Sequence, residues 1–425
     1  MAEIVTERPG DALGSEEQAA AARLEVTLLT GGGDKPYALG LSSALLGQGV
    51  RLDFIGSDAL DVSELRNRPE VNFLNLRGAK RQDASLVGKT TRVLRYYARL
   101  ISYAATAKPK IFHILWNNKF ELIDRTLLLL YYRLLGKRIV FTAHNVNAGK
   151  RDGNDSFLNR LSLRLQYFLV NHIFVHTRRM KSELVADFGV AEEKVTIIPF
   201  GINDTLPNTK LTSAEAKEAL GVGAGHKTLL FFGRIAPYKG LDYLIAALGC
   251  LTKRDGSYRL LIAGIIKDCL PYWRDIQQAI DREGVRDKII ESIEFIPDEK
   301  VELYFKAADV LVLPYTDIFQ SGVLFLAYSF GLPAIVTDVG SMKEEIIAGK
   351  TGFACRAQDP DDLARAVMTY FASDLFENLE PQRQAIQSYA NERYSWDKVG
   401  GITKRVYSQL AQNGKATRRA GAVRK

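Results

Sequence analysis

The sequence predicts an α/β protein of two doubly wound, Rossmann-like domains facing each other across a cleft. Three observations carry this. Short apolar runs alternate with helix-spaced stretches along the chain, the rhythm of parallel strands joined by crossover helices. At 425 residues the chain is too long for one hydrophobic core. A polar stretch over 201–225, with Asn203, Pro207, Asn208 and Gly223, separates two halves of similar length and pattern.

In the first half, strands are expected at 24–29, 51–55, 111–115, 139–142, 172–175 and 195–199. In the second they are expected at 229–232, 259–263, 289–295, 310–313 and 334–337. Each is a short apolar run with helical spacing on either side. The domain limits that follow are 23–205 and 206–392, with a closing helix over 393–413 that crosses back to the first domain. An acidic tail (1–22) and a basic tail (414–425) are expected to be disordered. Ligands of such folds bind at the carboxyl ends of the strands.

Composition excludes several classes. Cys250, Cys269 and Cys355 are the three cysteines; their wide spacing makes no disulfide framework or zinc pattern and fits a reducing, cytoplasmic setting. The start of the chain has no basic, apolar-cored leader, so no signal peptide is expected. The apolar run 127–135 is broken by Arg133 and falls short of the roughly 20 residues that span a bilayer. Net charge is +8. Residues 23–205 hold 27 Lys/Arg against 17 Asp/Glu, whereas the second half is slightly acidic. That asymmetry points to an anionic partner for the first domain.

Three segments carry chemistry. Gly233-Arg234-Ile235-Ala236-Pro237-Tyr238-Lys239-Gly240 follows an apolar strand and precedes a helix. It brings a guanidinium and an ammonium to a strand's carboxyl end, an arrangement suited to phosphate. Gly31, Gly32 and Gly33 end the first strand, allowing backbone to pass close to a ligand. The G-x-G-x-x-G spacing of dinucleotide folds is absent, which disfavours a nicotinamide oxidoreductase. Ser321 is expected to cap a helix over 322–330, closed by Gly331-Leu332-Pro333, and its first turn offers free N–H groups to an anion. His144 follows another strand and faces the same cleft. His113, His172, His176 and His226 read as structural.

These segments, with Pro199-Phe200-Gly201-Ile202, Thr337-Asp338-Val339-Gly340, Thr351-Gly352-Phe353 and Tyr394-Ser395-Trp396, resemble glycosyltransferase family four, of the GT-B fold, over roughly residues 24–410. The resemblance implies a nucleotide-diphosphate-sugar donor held by the second domain and an acceptor held by the first. It places Arg234 and Lys239 on the donor diphosphate, Gly32 and Gly33 opposite them, His144 near the donor sugar, and the backbone at Ile296 near the base. Gln320, Ser321, Gly322 and Val323 fall on the phosphate-binding helix start. In one respect the chain departs from the family: Ile318 and Leu326 occupy the positions of its usual glutamate pair, and Gln320-Ser321-Gly322-Val323 lies between them.

Breaking a sugar–phosphate bond puts negative charge on the leaving diphosphate, which two cations and a helix start would stabilise. Asp359-Pro360-Asp361 reads as a helix start rather than a metal site. The expectation is hexose transfer without metal or cofactor, with retention of configuration as the resemblance implies. The acceptor would be a glycan or lipid-linked precursor. A sugar-nucleotide epimerase and a catalytically silent nucleotide-sugar-binding protein are the alternatives. Arg92, Arg95 and Arg99 share a helix face beside an apolar stripe of Val93, Tyr97, Leu100, Ile101 and Ala104. They suggest a peripheral contact with an anionic membrane surface, at the inner face of the membrane. No nucleic-acid motif accompanies the charge.

Overall fold

The computed structural model describes residues 24–32, 35–78, 86–151, 155–202, 206–266 and 269–422. The tail over 1–22 lies outside them, as does Gly33.

Two parallel sheets form. The first contains β1 (Glu25–Leu29), β2 (Arg51–Gly56), β3 (Val71–Asn75), β4 (Ile111–Ile114), β5 (Arg138–Thr142), β6 (His172–Val175) and β7 (Val195–Ile197). Its order is β3-β2-β1-β4-β5-β6-β7. The second contains β8 (Lys227–Phe232), β9 (Tyr258–Ala263), β10 (Ile289–Ser292), β11 (Val310–Leu313), β12 (Ala334–Thr337) and β13 (Gly352–Cys355). Its order is β10-β9-β8-β11-β12-β13. Both orders reverse at their first strand, leaving a crevice between β1 and β4 and another between β8 and β11. The central strands are buried along their length, as parallel strands covered on both faces must be.

The differences from expectation sit at edges. β3 reads VNFLN and is only half-buried; as an edge strand covered less fully, it lacks the continuous apolar run that marks its neighbours. β10 stops at Ser292 instead of 295. Phe295 is exposed and Ile296 turns into the core of the second domain.

Seven helices position the site: α1 (Lys35–Gly47), α2 (Leu86–Thr106), α3 (Phe157–Leu169), α4 (Leu241–Thr252), α5 (Gly322–Ser329), α6 (Leu379–Tyr394) and α7 (Trp396–Ala422). α5 reads GVLFLAYS and has no polar face, so it must be covered all round. Its Leu324, Phe325, Ala327 and Tyr328 are buried. α7 begins beside the second domain, where Ile202 N–H donates to the Tyr394 carbonyl (3.0 Å), and runs over the first. There Lys404 Nζ donates to the Gln48 carbonyl (2.6 Å) and the Tyr407 hydroxyl meets His113 Nδ1. The helix continues to Ala422, into the stretch expected as a disordered tail. Over 414–422 three alanines, two arginines and a lysine, all good helix formers, outnumber two glycines.

The Trp396 indole is wedged between α1 and the link to the second domain. A Cβ at Gly40 would fall 2.0 Å from the indole, and one at Gly201 would fall 2.6 Å away. Only hydrogen fits at either place. Gly40→Ala should therefore destabilise the protein by about 1–3 kcal/mol through overpacking. This is opposite to the gain Gly→Ala brings in a helix interior. A melting temperature equal to or above wild type would contradict it.

Candidate functional site

A cavity of about 310 Å³ lies between the domains. α1 contributes Pro36 and Tyr37, the link contributes Phe200 and Gly201, the β8 turn contributes Lys239, and the start of α5 contributes Gln320, Ser321, Gly322 and Val323. It sits where the two strand-order reversals face each other.

The turn after β8 ends with a short 3-10 helix, Pro237–Lys239, and Gly240 at φ 66°. A Cβ at Gly240 would lie 2.0 Å from the Pro314 carbonyl, so glycine lets the turn press onto the end of β11. Lys239 is thereby buried. Its Nζ donates to the Tyr315 hydroxyl (2.6 Å), which lies 3.3 Å from Ser321 Oγ. Burial pushes the Tyr315 hydroxyl up, so it stays a neutral phenol that accepts from the ammonium and shares a hydrogen bond with the Ser321 hydroxyl. Ser321 holds the N-cap position, but its hydroxyl caps no backbone N–H; it faces Tyr315 instead. The first turn of α5 thus carries no side-chain cap, and its Gly322 and Val323 line the cavity. Arg234 is exposed on the same turn and is not among the described residues lining the cavity.

Gln320 Nε2 lies 3.4 Å from Glu345 Oε1, and Gln320 Oε1 is buried without a partner among the described residues. Glu345 is buried, its carboxyl pushed up by that burial and bonded to the Tyr394 hydroxyl. The amide is therefore held with its acceptor oxygen uncommitted. Ile318 and Leu326 both line the cavity, so apolar side chains stand where the family resemblance would place carboxylates. Ile296 is packed in the core and offers only backbone.

His144 stacks on Trp116 with ring centroids 4.2 Å apart. Its Nδ1 lies 3.1 Å from His176 Nε2, while His176 Nδ1 lies 3.3 Å from the Ile198 carbonyl. Burial lowers the pKa of both, His176 to about 4, so both are neutral near pH 7. A carbonyl only accepts, so His176 Nδ1 carries its proton. His176 Nε2 is then the acceptor and His144 Nδ1 the donor. That leaves a bare lone pair on His144 Nε2, which is buried without a partner among the described residues. Tyr37 packs edge-on against His144, Trp116, His176 and Trp396 and closes this wall.

A second cavity of about 400 Å³ opens at the carboxyl ends of the first sheet. It is lined by Gly31, Gly32, Arg77, Arg92, Tyr96 and Lys119, among others. Arg77 Nη2 donates to Asn118 Oδ1 (3.2 Å), which also accepts from the Tyr96 hydroxyl (2.6 Å). Gly32 thus lines this second cavity and not the first. Arg92 turns toward it too, whereas Arg95 and Arg99 are exposed. Ile101, expected in the apolar stripe of α2, is 44% exposed; it lies at the stripe's edge.

Sequence reasoning missed Tyr37, Trp116, Tyr315, Glu345 and the approach of His176 to His144. The one signal was a proline past a strand's end, directly before Tyr37 and before Tyr315. His113 is structural: its ring nitrogens meet the Tyr407 hydroxyl and Thr142 Oγ1. His172 and His226 are structural as well, meeting Thr196 Oγ1 and the Gly223 carbonyl.

Comparison with known proteins agrees with this geometry. Residues 21–206 match the profile described as Glycosyltransferase Family 4, and residues 226–373 match Glycosyl transferases group 1. An uncharacterized glycosyltransferase of Methanocaldococcus jannaschii is 29% identical over 54% of this chain and 58% of its own length. A D-inositol 3-phosphate glycosyltransferase of Corynebacterium glutamicum is 23% identical over 81% of this chain and 84% of its own. The chain spans little more than half the length of the first curated relatives it matches. Sucrose-phosphate synthase from Thermosynechococcus elongatus superposes with a TM-score of 0.72 at 18% identity, covering 92% of this chain and 100% of the other. Anabaena HepE, solved with UDP and glucose, superposes with a TM-score of 0.70 at 15% identity, over 91% of this chain and 100% of that one. The fold is GT-B, and the matches support a family-four-like, sugar-transferring enzyme.

The histidine pair makes stability acid-sensitive. An unfolded histidine takes up a proton near pH 6.5, whereas folded His176 does so only at about 4. As pH falls through this window the unfolded chain binds more protons, so stability declines. The melting temperature should fall from about pH 6.5 toward about pH 4. His176→Gln should flatten that limb; a limb of unchanged slope would refute the assignment.

Proposed function

We propose that the chain transfers a hexose from a nucleoside-diphosphate-sugar to an acceptor hydroxyl, with retention of configuration and without a metal ion. The observation that carries this is the cavity in which buried Lys239 and the uncapped start of α5 converge at the meeting of two strand-order reversals. The diphosphate lies against Lys239 and the α5 amides, with Arg234 on the outer side of the same turn. As the sugar–phosphate bond breaks, charge grows on the departing phosphate. These donors, held in place by Tyr315 and Gly240, meet it without reorganising. The acceptor hydroxyl approaches from the leaving-group face, and its proton passes to that phosphate.

The sugar hydroxyls have one preset acceptor on the cavity lining, Gln320 Oε1, which is buried without a partner among the described residues. His144, packed against Tyr37, is not among the described residues that line the cavity. With Ile318 and Leu326 lining the cavity, Gln320 takes over polar contacts that a glutamate pair would otherwise make. The HepE structure holds UDP and glucose, so UDP-glucose is the first donor to test. The acceptor occupies the second cavity, whose Arg77, Arg92 and Lys119 favour an anionic, glycan or lipid-linked molecule. The basic face of α2 supports a reading in which the enzyme works at the inner, cytoplasmic surface of an anionic membrane. A silent nucleotide-sugar-binding protein is the second reading, favoured by the apolar pair Ile318 and Leu326. It would bind UDP-glucose and release no nucleotide with any acceptor.

Lys239→Ala should lower kcat by about 10²–10³-fold, the usual cost of removing one preorganised charge-stabilising donor; unchanged turnover would end this reading. Gln320→Leu should raise KM for the sugar donor about tenfold, the loss of one buried hydrogen bond, while leaving the Kd for free UDP unaltered. An equal loss for UDP would remove Gln320 from the sugar. Saturating EDTA should leave turnover intact, and inactivation by it would overturn the metal-free route.

A further inference from the structure

The outer surface of the first domain carries a feature that sugar transfer does not use. Residues 121–134 form a helical segment with a π turn at Asp124–Leu128. It turns Ile123, Leu127, Leu130 and Leu134 outward, the spacing of a single helix stripe. Beside it, α3 turns Phe157, Leu161, Leu165 and Phe168 outward at the same kind of spacing. Leu127 is 65% exposed, Leu134 78%, Phe157 78% and Phe168 79%. The inward faces, with Leu129, Tyr132, Leu163 and Tyr167, are buried in the core. Each helix is therefore apolar on both sides, and the outer side leaves much of its apolar surface open.

The stripes form one surface. Arg125 Nη1 donates across to Asn159 Oδ1 (2.8 Å). On the other flank, Tyr131 donates to the Ile101 carbonyl of α2 (3.1 Å), and Tyr97 stacks on Phe120 (5.8 Å). Exposed Leu94 and Ile101 extend the patch onto α2. Single exposed apolar residues are ordinary, but a contiguous patch of this extent marks an interaction site.

Charge identifies the occupant. Arg133 and Arg164 are exposed on the same helices, and Lys119, Arg95 and Arg99 flank them; Arg160 is paired with Asp155. The sequence of α3 holds no acid. In the neighbouring segment Asp124 is buried and Glu121 is paired with Arg125. An apolar centre ringed by cations matches the acyl boundary and phosphate layer of an anionic bilayer. A second copy of the chain on a two-fold axis would bring these cations against one another. Among the described residues no helix is long and apolar enough to cross a membrane, so the helices would lie in the interface plane. Crossover helices begin at the carboxyl ends of the strands they leave. The segment follows β4 and α3 follows β5, so Leu122, Ile123, Phe157 and Leu158 lie toward the second cavity.

We propose that the outward stripes of segment 121–134 and α3 insert into the interfacial layer of a bilayer containing anionic lipid, holding the second cavity against the lipid surface. This deepens the acceptor-side reading and takes from it only the purpose of docking; the docking itself is measured without sugar transfer. The test is flotation of the full chain with vesicles of phosphatidylcholine alone and of phosphatidylcholine with phosphatidylglycerol, at low and high salt. Wild type should float with the mixed vesicles, less so at high salt. Leu127→Glu combined with Phe168→Glu should reduce its partition by about tenfold or more, since two charges replace two inserted apolar groups. Both positions are exposed, so the variant should keep the wild-type melting temperature and UDP-glucose affinity. A second variant, Arg133→Gln with Arg164→Gln, should lose mainly the salt-sensitive part. Wild type that stays unbound at low salt overturns the proposal, as does a Leu127→Glu/Phe168→Glu variant that floats like wild type. A dimer that this variant dissolves, with no flotation by either form, would make the face a subunit contact and overturn it equally.

Discussion

The packing of Tyr37 and Trp396 fixes the geometry on which the rest depends. Trp396 opens α7, the helix that returns from the second domain to the first. Its indole lies on two glycines, one in α1 and one in the interdomain link. Tyr37 packs edge-on to that indole and to His144, Trp116 and His176. Phe200 stacks on Phe325 of α5 (5.4 Å) and carries the contact into the second domain. Edge-to-face aromatic pairs are directional, so this cluster orients Trp396 and Phe200 where the chain passes between the domains.

On that frame the second domain presents charge and the first presents shape. Burying an ammonium is costly unless it is bonded. Lys239 meets that requirement through Tyr315, a phenol kept neutral by its own burial. The same phenol reaches Ser321, so the turn after β8 and the start of α5 are coupled through one hydroxyl. The first domain answers with neutral acceptors. A histidine pair kept uncharged by burial leaves an imidazole lone pair without a partner among the described residues, next to Tyr37 of the cavity lining. The division suits a substrate with a charged diphosphate at one end and a hydroxylated sugar at the other.

The outer face follows a different logic. Segment 121–134 and α3 hold more apolar surface than the core can take, with cations along its edge. Their inner stripes are part of the same core that positions Val146 and Tyr167 beneath the His144 loop. A contact on the outside therefore bears on elements that also shape the cleft.

Much of this was legible in the chain. Strands buried on both faces read as apolar runs, and three of them, at 172–175, 310–313 and 334–337, have the limits the sequence predicts. The β8 turn was legible because glycine, proline and two cations in one bend have few other uses. β3 was not, since an edge strand needs no continuous apolar run. Ser321 was legible as a helix start, but its hydroxyl turns to Tyr315 rather than to its own helix, a choice made by a residue six positions earlier in a different element. The sequence by itself determined the two parallel sheets, the bend after β8 and the start of α5, because each is encoded by neighbours within one strand–turn–helix unit. Only the tertiary structure decided the aromatic wall, the Gln320–Glu345 contact, the tautomers of the histidine pair and the outward stripes. Each of these joins residues distant in sequence, or depends on which side of a helix is left without a neighbour, and no local pattern records that.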